Sequence, residues 1–252
     1  MEQVFTLCNI ILNRDRETRK RKLNVKDYRV IPLASQAGVL EFVTNTSPLR
    51  DIVNRLHPLY VFRSTRQPTL LTSRCRYHPK DRDGQKMTNE LRKHRDDNKN
   101  NPAIQTMQME LYQRLIKEFH PVMRHYFTEQ RKTPMSWFRM RLKYSRSVAT
   151  TSIVGHILGL GDRHTSNILL DNQTGEVVHI DLGIAFDQGK LLPVPERVPF
   201  RLTRDIVDGL GTTGTQGVFQ RCAEETLRVL RAGSDVIVTV LEVFKYDPLH
   251  SW

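Results

Sequence analysis

Asp162, Asn167 and Asp181 stand in an order that suits phosphoryl transfer: D-x-x-x-x-N, then two short apolar runs, then D-x-G. An Asn oxygen and an Asp carboxylate on opposite sides of a triphosphate can hold a divalent metal between the terminal phosphates, while a second carboxylate orients the attacking hydroxyl. Asp162 has the position of that base, and Asn167 and Asp181 those of the two metal ligands. Each residue alone reads as an ordinary turn residue. The three together, with two hydrophobic strands between them, do not.

Certain elements must position these groups. Residues 167–170 and 176–180 are apolar runs of strand length on either side of a turn at 171–175, so the chain doubles back and returns Asp181 beside the loop carrying Asp162. Gly159 and Gly161 before the base, and Gly183 after the metal carboxylate, are read as points where the backbone turns. Ahead of that loop, 146–158 predicts a helix of small residues that holds Asp162 on a rigid support, with His156 as a structural side chain. A separate helix is expected over 134–144, and Met107, Leu111, Leu115, Ile116 and Phe119 make a helical stripe within 103–126. Near the start, Val4, Phe5, Cys8, Ile11 and Leu12 form one packed helix face.

Residues 28–33 and 38–43 predict two strands. In a nucleotide-binding architecture the exit of the second strand is a hinge where backbone groups read an adenine edge and Tyr28 or Phe42 stacks on the ring; the alternative is that both are plain core aromatics. Residues 65–101 are polar and basic, an insertion or surface segment more than a core. Prolines between 184 and 199 favour a loop that frames a substrate. Helices follow at 201–209, 218–230 and 235–244, with a glycine-rich connection at 211–217.

At 252 residues the chain can bury a substantial core. Its formal charge of +12 is uneven: residues 1–150 hold 30 Lys and Arg against 14 Asp and Glu, whereas 151–252 hold 9 against 13. The basic stretches 18–22 and 74–99 could face polyanions or acidic parts of a larger assembly, but no recognition helix, finger spacing or aromatic-basic platform accompanies them. Cys8, Cys75 and Cys222 are widely spaced, which indicates neither a disulfide framework nor a cysteine-rich zinc site. No apolar run reaches the length of a membrane span, and the first residues lack the layout of a secretory signal.

Taken with Asp162-Arg163-His164, the stretches 18–23, 146–150, 159–164, 179–183, 198–209 and 246–249 resemble the kinase domain of the phosphatidylinositol 3-kinase-related protein kinases, most closely the ATM and fungal Tel1 branch. The family writes its catalytic loop as DRH where ordinary protein kinases write HRD. The resemblance implies an α+β, bilobal protein-kinase-like (PI3/PI4-kinase) fold, mostly the helical C-lobe with a partial N-lobe: 1–45 as N-lobe and hinge, 46–252 as C-lobe including a polar insertion at about 65–101. It implies a serine/threonine protein kinase that moves the ATP γ-phosphate to Ser/Thr-Gln sites in DNA-damage and telomere signalling proteins. In that frame Asp162 is the catalytic base, His164 a hydrogen-bonding partner near the transferred phosphoryl, and Asn167 and Asp181 the ligands of Mg2+ or Mn2+. Tyr28, Glu41, Phe42, Val43, Leu170 and Ile180 line the nucleotide, and 179–203 is the activation loop. The implied setting is nuclear, without a membrane: a very large helical-repeat polypeptide that forms a homodimer and is activated by a DNA-end sensor complex.

The resemblance also has gaps. The family's glycine-containing phosphate loop, phosphate-pairing lysine and acidic partner lie upstream of the position matching Met1, and no glycine precedes Gly38. The chain is therefore expected to be part of a larger enzyme, binding nucleotide weakly by itself and transferring phosphate poorly or not at all. A lipid kinase would share the DRH loop but tends to carry a basic cluster after the metal Asp, where 183–199 has only Lys190 and Arg197. A noncatalytic module derived from a kinase is the third reading.

Overall fold

The computed structural model describes residues 1–34, 37–62, 68–75, 77–78, 80–82, 84–98, 101–193 and 195–243, with backbone alone at 58–62, 68–75 and 85. The chain opens with helices α1 (Glu2–Arg14) and α2 (Arg16–Arg21), then strands β1 (Val30–Ala34), β2 (Ala37–Leu40) and β3 (Thr46–Pro48). Helix α3 (Leu49–Leu56), strands β4 (Pro58–Phe62) and β5 (Pro68–Cys75), and helices α4 (Gly84–Asp97), α5 (Ile104–Leu115) and α6 (Met123–Gln130) follow. Helix α7 (Pro134–Ile157) leads to strands β6 (Ile168–Asp171) and β7 (Val177–His179), and helices α8 (Arg204–Leu210), α9 (Val218–Ala232) and α10 (Ser234–Glu242) complete the described chain. The mixed α+β, mainly helical class is as expected. No described helix is long and apolar enough to cross a membrane.

Two compact units form. The first comprises Met1–Asp51 and Phe127–Trp252. One core of this unit is built by the apolar face of α1: Val4, Phe5, Cys8 and Leu12 pack with Val154 and Leu158 of α7, with Ala185, and with Val229, Leu230 and Ile237 of α9 and α10. The basic run 18–22 belongs largely to a second helix that periodicity did not reveal. Asp15 caps α2 by accepting from the N–H groups of Glu17 and Thr18 at 2.9 and 3.0 Å, and Thr18 is fully buried. Arg21 spends its charge on Glu17 one turn earlier, at 2.5 Å.

Helix α7 is one unbroken helix of 24 residues, not two separated near Tyr144. Thr133 caps it and Pro134 occupies its first turn, where a missing N–H costs nothing. Within it, Ser145 and Thr150 turn their hydroxyls back onto the carbonyls of Arg141 and Arg146, each at 3.0 Å. The buried face of α7 is fastened to β7, because Ser147 Oγ accepts from Val177 N at 2.8 Å.

The expected hairpin is β6–β7, with Ile168 opposite His179 and Leu170 opposite Val177. Asp171 builds its turn by accepting from Gln173 N and Thr174 N at 2.8 and 3.0 Å. Burial pushes the Asp171 pKa up, but the Lys26 ammonium and those two N–H groups outweigh it and leave the carboxyl below its ordinary value. Gly175 must be glycine, since its φ is 80° and a Cβ would lie 2.8 Å from Met140 Cγ. A third strand, β3, pairs antiparallel with β6. By contrast, β1 and β2 form a separate two-stranded ribbon.

The second unit is Ile52–Tyr126. It holds the antiparallel β4–β5 pair and the helices α4 and α5, which meet through Met87, Leu111 and Leu115 with Leu91 and Phe119 alongside. The described parts of the polar segment 65–101 are thus largely β5 and α4. The helical stripe expected through Tyr126 ends at Leu115 and passes into a 3-10 turn, Ile116–Glu118; Pro121, without an N–H, stands before α6. Residues 244–252, which carry part of the sequence resemblance, lie outside the described residues.

Candidate active site

The loop after α7 and the segment after β7 are laced together by backbone hydrogen bonds. Phe186 N donates to Leu158 O at 3.0 Å, Asp187 N to Gly159 O at 3.1 Å, and Gly161 N to Ile184 O at 2.9 Å. On the hairpin side, Ile180 N donates to Asn167 O at 3.1 Å. Asp162 therefore lies between the tied residues Gly161 and Asn167, and Asp181 between the tied residues Ile180 and Ile184. Each carboxylate is carried on a short bulge whose ends are held by the flanks of the other.

Both bulges depend on a costly backbone conformation. Asp162 and Asp181 each have φ of 55°, in the left-handed region that an L-residue with a side chain seldom occupies. The sequence reading gave this job to glycines, and only Gly159, at φ of 57°, takes it. Gly161 is needed for close packing instead, because a Cβ there would come within 2.9 Å of the Glu196 carboxylate. Gly183 has open space around it, with Asp181 Oδ1 the only atom near, at 3.8 Å.

Arg163, to which the sequence reading assigned no role, is the internal strut of the site. It is 5 % exposed. Its Nε donates to Gly161 O at 2.8 Å, its Nη1 to Ile180 O at 2.7 Å, and its Nη2 to Asp181 O. One rigid guanidinium thereby spans both bulges through their carbonyls. Burial lowers its pKa from the ordinary value, opposed by the negative charges of Asp162 and Asp181. The signal was present in the sequence, as the central letter of Asp-Arg-His.

The remaining polar groups fall around this frame. Asn167, 6 % exposed, donates from Nδ2 to Asp162 O at 3.2 Å, which leaves its side-chain oxygen for a cation. His164 accepts at Nδ1 from Ser166 N at 3.3 Å, so a neutral ring carries its proton on Nε2, the atom 4.0 Å from Asp162 Oδ2. Among the described residues the Asp181 carboxylate makes no hydrogen bond or ion pair. An amide oxygen and an unspent carboxylate on adjoining turns form the oxygen donor set that Mg2+ prefers, so the residues present fit the implied metal. Behind them, burial and the charge of Arg163 push His179 down to about 3. It is a neutral wall of a small pocket of about 30 Å³ that it shares with Thr151.

The expected nucleotide wall is less closed. Tyr28 is half-buried; burial raises its phenol pKa, with the charges of Glu2 and Asp181 adding to the effect. Ile180 is partly buried and tied to the loop through its backbone. Glu41 uses its carboxylate locally, accepting from Arg29 N at 2.9 Å, and Val43 O accepts from Thr46 Oγ1 at 2.9 Å. Phe42 is 86 % exposed, which rules out the plain core aromatic. Leu170, at 1 %, is buried in the middle strand of its sheet and is not brought to an open surface.

A helix-fed loop with Asp-Arg-His, an Asn five residues after the Asp, and a second Asp returned by a hairpin are the features on which the family assignment turns. The chain belongs to the phosphatidylinositol 3- and 4-kinase family, whose model matches residues 1–252. It is 49 % identical over 256 residues to the serine/threonine-protein kinase tel1 of Emericella nidulans, and 45 % identical over 253 residues to the serine-protein kinase ATM of Sus scrofa. Each alignment covers all of this chain and 8 % of the relative. The solved FAT and kinase domain of CtTel1 superposes with a TM-score of 0.84 at 45 % identity, again over the whole chain and 16 % of the other. These matches place the chain in the ATM/Tel1 branch, of whose members it spans a small part.

Proposed function

We propose that the chain is the catalytic portion of a serine/threonine protein kinase that transfers the γ-phosphate of ATP to protein hydroxyls followed by Gln. The observation that carries this is the closure of two left-handed Asp bulges on one another, with Arg163 spanning both. Asp162 accepts the proton of the attacking Ser or Thr hydroxyl, and His164 offers Nε2–H toward the transferred phosphoryl oxygens. Asn167 and Asp181 would hold Mg2+ or Mn2+, which when bound neutralises charge on the phosphate oxygens. Tyr28, Glu41, Phe42, Val43 and Ile180 border the nucleotide, with 1–45 as N-lobe and hinge and 46–252 as C-lobe. An open groove of about 570 Å³, lined by parts of 156–161 and 186–199 including Lys190, Glu196 and Arg197, suits an extended peptide beside the base.

A relative's structure is a complete CtTel1 dimer with C2 symmetry. We extend that arrangement to the polypeptide containing this chain, as a dimer of a large helical-repeat protein in the nucleus that answers a DNA-end sensor. The deciding assay uses the purified full-length polypeptide with Mg-ATP. A peptide with a Ser-Gln site should be phosphorylated, its Gln→Ala version poorly, and phosphatidylinositol vesicles not at all. Labelled lipid with unlabelled peptide would overturn the assignment.

A further inference from the structure

We propose that His78, Asp81 and His120, in the second unit, form a binding site for a zinc-class divalent cation. One ligand atom from each lies within 4.8 Å of the others. Asp81 is fixed from two directions: its Oδ2 accepts from His120 N at 2.6 Å and its Oδ1 meets His120 Nδ1 at 2.6 Å. The rings of His78 and His120 stack with centroids 4.8 Å apart. The Asp81 side chain is 3 % exposed and that of His120 50 %, so the cluster has a closed floor and an open side.

A simple capping role for Asp81 explains the His120 contact and leaves His78 unexplained. His78 Nε2 is shut off from solvent and has no hydrogen-bond partner, an arrangement that costs free energy unless something occupies its lone pair or takes its proton. Two imidazoles and a carboxylate are a donor set that Zn2+ accepts, with the open side left for water as a fourth ligand. Tetrahedral bonds of about 2.0–2.2 Å put ligand atoms roughly 3.3 Å apart. The Asp81 to His120 pair, at 2.6 Å, must open by a small rotation of the half-exposed His120, and the wider spacings within the 4.8 Å limit must close toward the same value. The nearby cation does not oppose this, since Arg82 is held by Glu90 at 2.9 Å and Glu118 at 3.2 Å. Arg82 N also donates to Glu118 O at 3.0 Å, pinning the segment of Asp81 to that of His120.

Full-length polypeptide stripped with a chelator is titrated with Zn2+ and, separately, with Co2+, beside a His78→Gln/His120→Gln double variant. Both substitutions leave the bond from His120 N to Asp81 in place, so folding is preserved; circular dichroism checks this. The native protein should bind one more equivalent of Zn2+ than the variant, with affinity at that site lowered on the order of 100-fold by His78→Gln alone. Co2+ should produce a visible absorption band that the variant lacks. Equal stoichiometry and equal spectra in the two proteins would show that the cluster is a hydrogen-bonded cap only.

Discussion

The β6–β7 hairpin and the β1–β2 ribbon are each antiparallel pairs within one unit, yet they are supported in opposite ways. The hairpin gains a third strand, an α7 clamp through Ser147 and a guanidinium strut, and Ile168, Leu169, Leu170 and Asp171 are all buried. The ribbon shows exposed apolar side chains throughout: Val30, Ile31, Leu33, Val39, Leu40 and, just beyond, Phe42. On the proposed reading the hairpin serves the phosphates and is held by contacts internal to its unit, whereas the ribbon, proposed to meet the adenine, keeps its apolar side chains exposed. Such a surface is what a flat purine can use, and its apolar area is held ready by the missing burial.

Substitutions in full-length enzyme can break that contrast. The largest effect belongs to Asp181→Ala, which should abolish Mg-ATP turnover while expression and circular dichroism stay native; full activity in the phosphorylation assay would remove Asp181 from the site. Asp162→Asn should lower kcat on the order of 100- to 10,000-fold with little change in ATP affinity, because the base acts on the attacking hydroxyl. Arg163→Lys leaves carbonyls of the frame without donors, so kcat should fall about tenfold or more and the thermal midpoint should drop by several degrees. On the ribbon, Phe42→Ala should raise the KM for ATP by roughly threefold to tenfold at nearly unchanged kcat, measured by initial rates. A kcat loss there as deep as that of Asp162→Asn would erase the distinction between the two ends.

The smallest effect concerns Glu2 at the base of the ribbon. Burial, with Asp27 adding to it, raises this carboxyl to about 7, although Tyr28 N donates to it at 3.1 Å. A carboxyl raised in the folded state binds more protons there than when unfolded. Its contribution to stability is therefore complete below about 4.5 and is lost as pH rises toward 7. Glu2→Gln keeps the acceptor for Tyr28 N and should flatten that decline, by on the order of 1 kcal/mol once the exposed part of the side chain is discounted. Denaturant melts across that pH range would reveal it, and parallel curves for the two proteins would refute it.

Legibility in the sequence followed the same divide. The first helix and the hairpin were readable because apolar periodicity reports their burial, whereas the ribbon was readable from apolar runs of strand length even though its side chains stay exposed; the order of Asp162, Asn167 and Asp181 is a property of the sequence itself. Thr46–Pro48 gave no strand signal: three residues ending in Pro pair with β6 only because β6 is already placed. The helices expected at 134–144 and 146–158 proved to be one: Ser145 spends its hydroxyl on Arg141 O within the helix, and Ser147 is anchored across to Val177 of β7. Leu170 was assigned to the nucleotide, but its side chain is spent on the interior of the middle strand. Arg163 stands in the sequence as the middle letter of Asp-Arg-His, but its role stayed hidden because its bonds go to backbone carbonyls whose positions only the fold sets.

At positions 162 and 181 the chain sets robustness against chemistry. Glycine at either place would relax the left-handed turn, by about 1 kcal/mol, while deleting the carboxylate on which the proposed transfer turns. Variants selected only for resistance to heat should accumulate such glycines and emerge sturdier and inert.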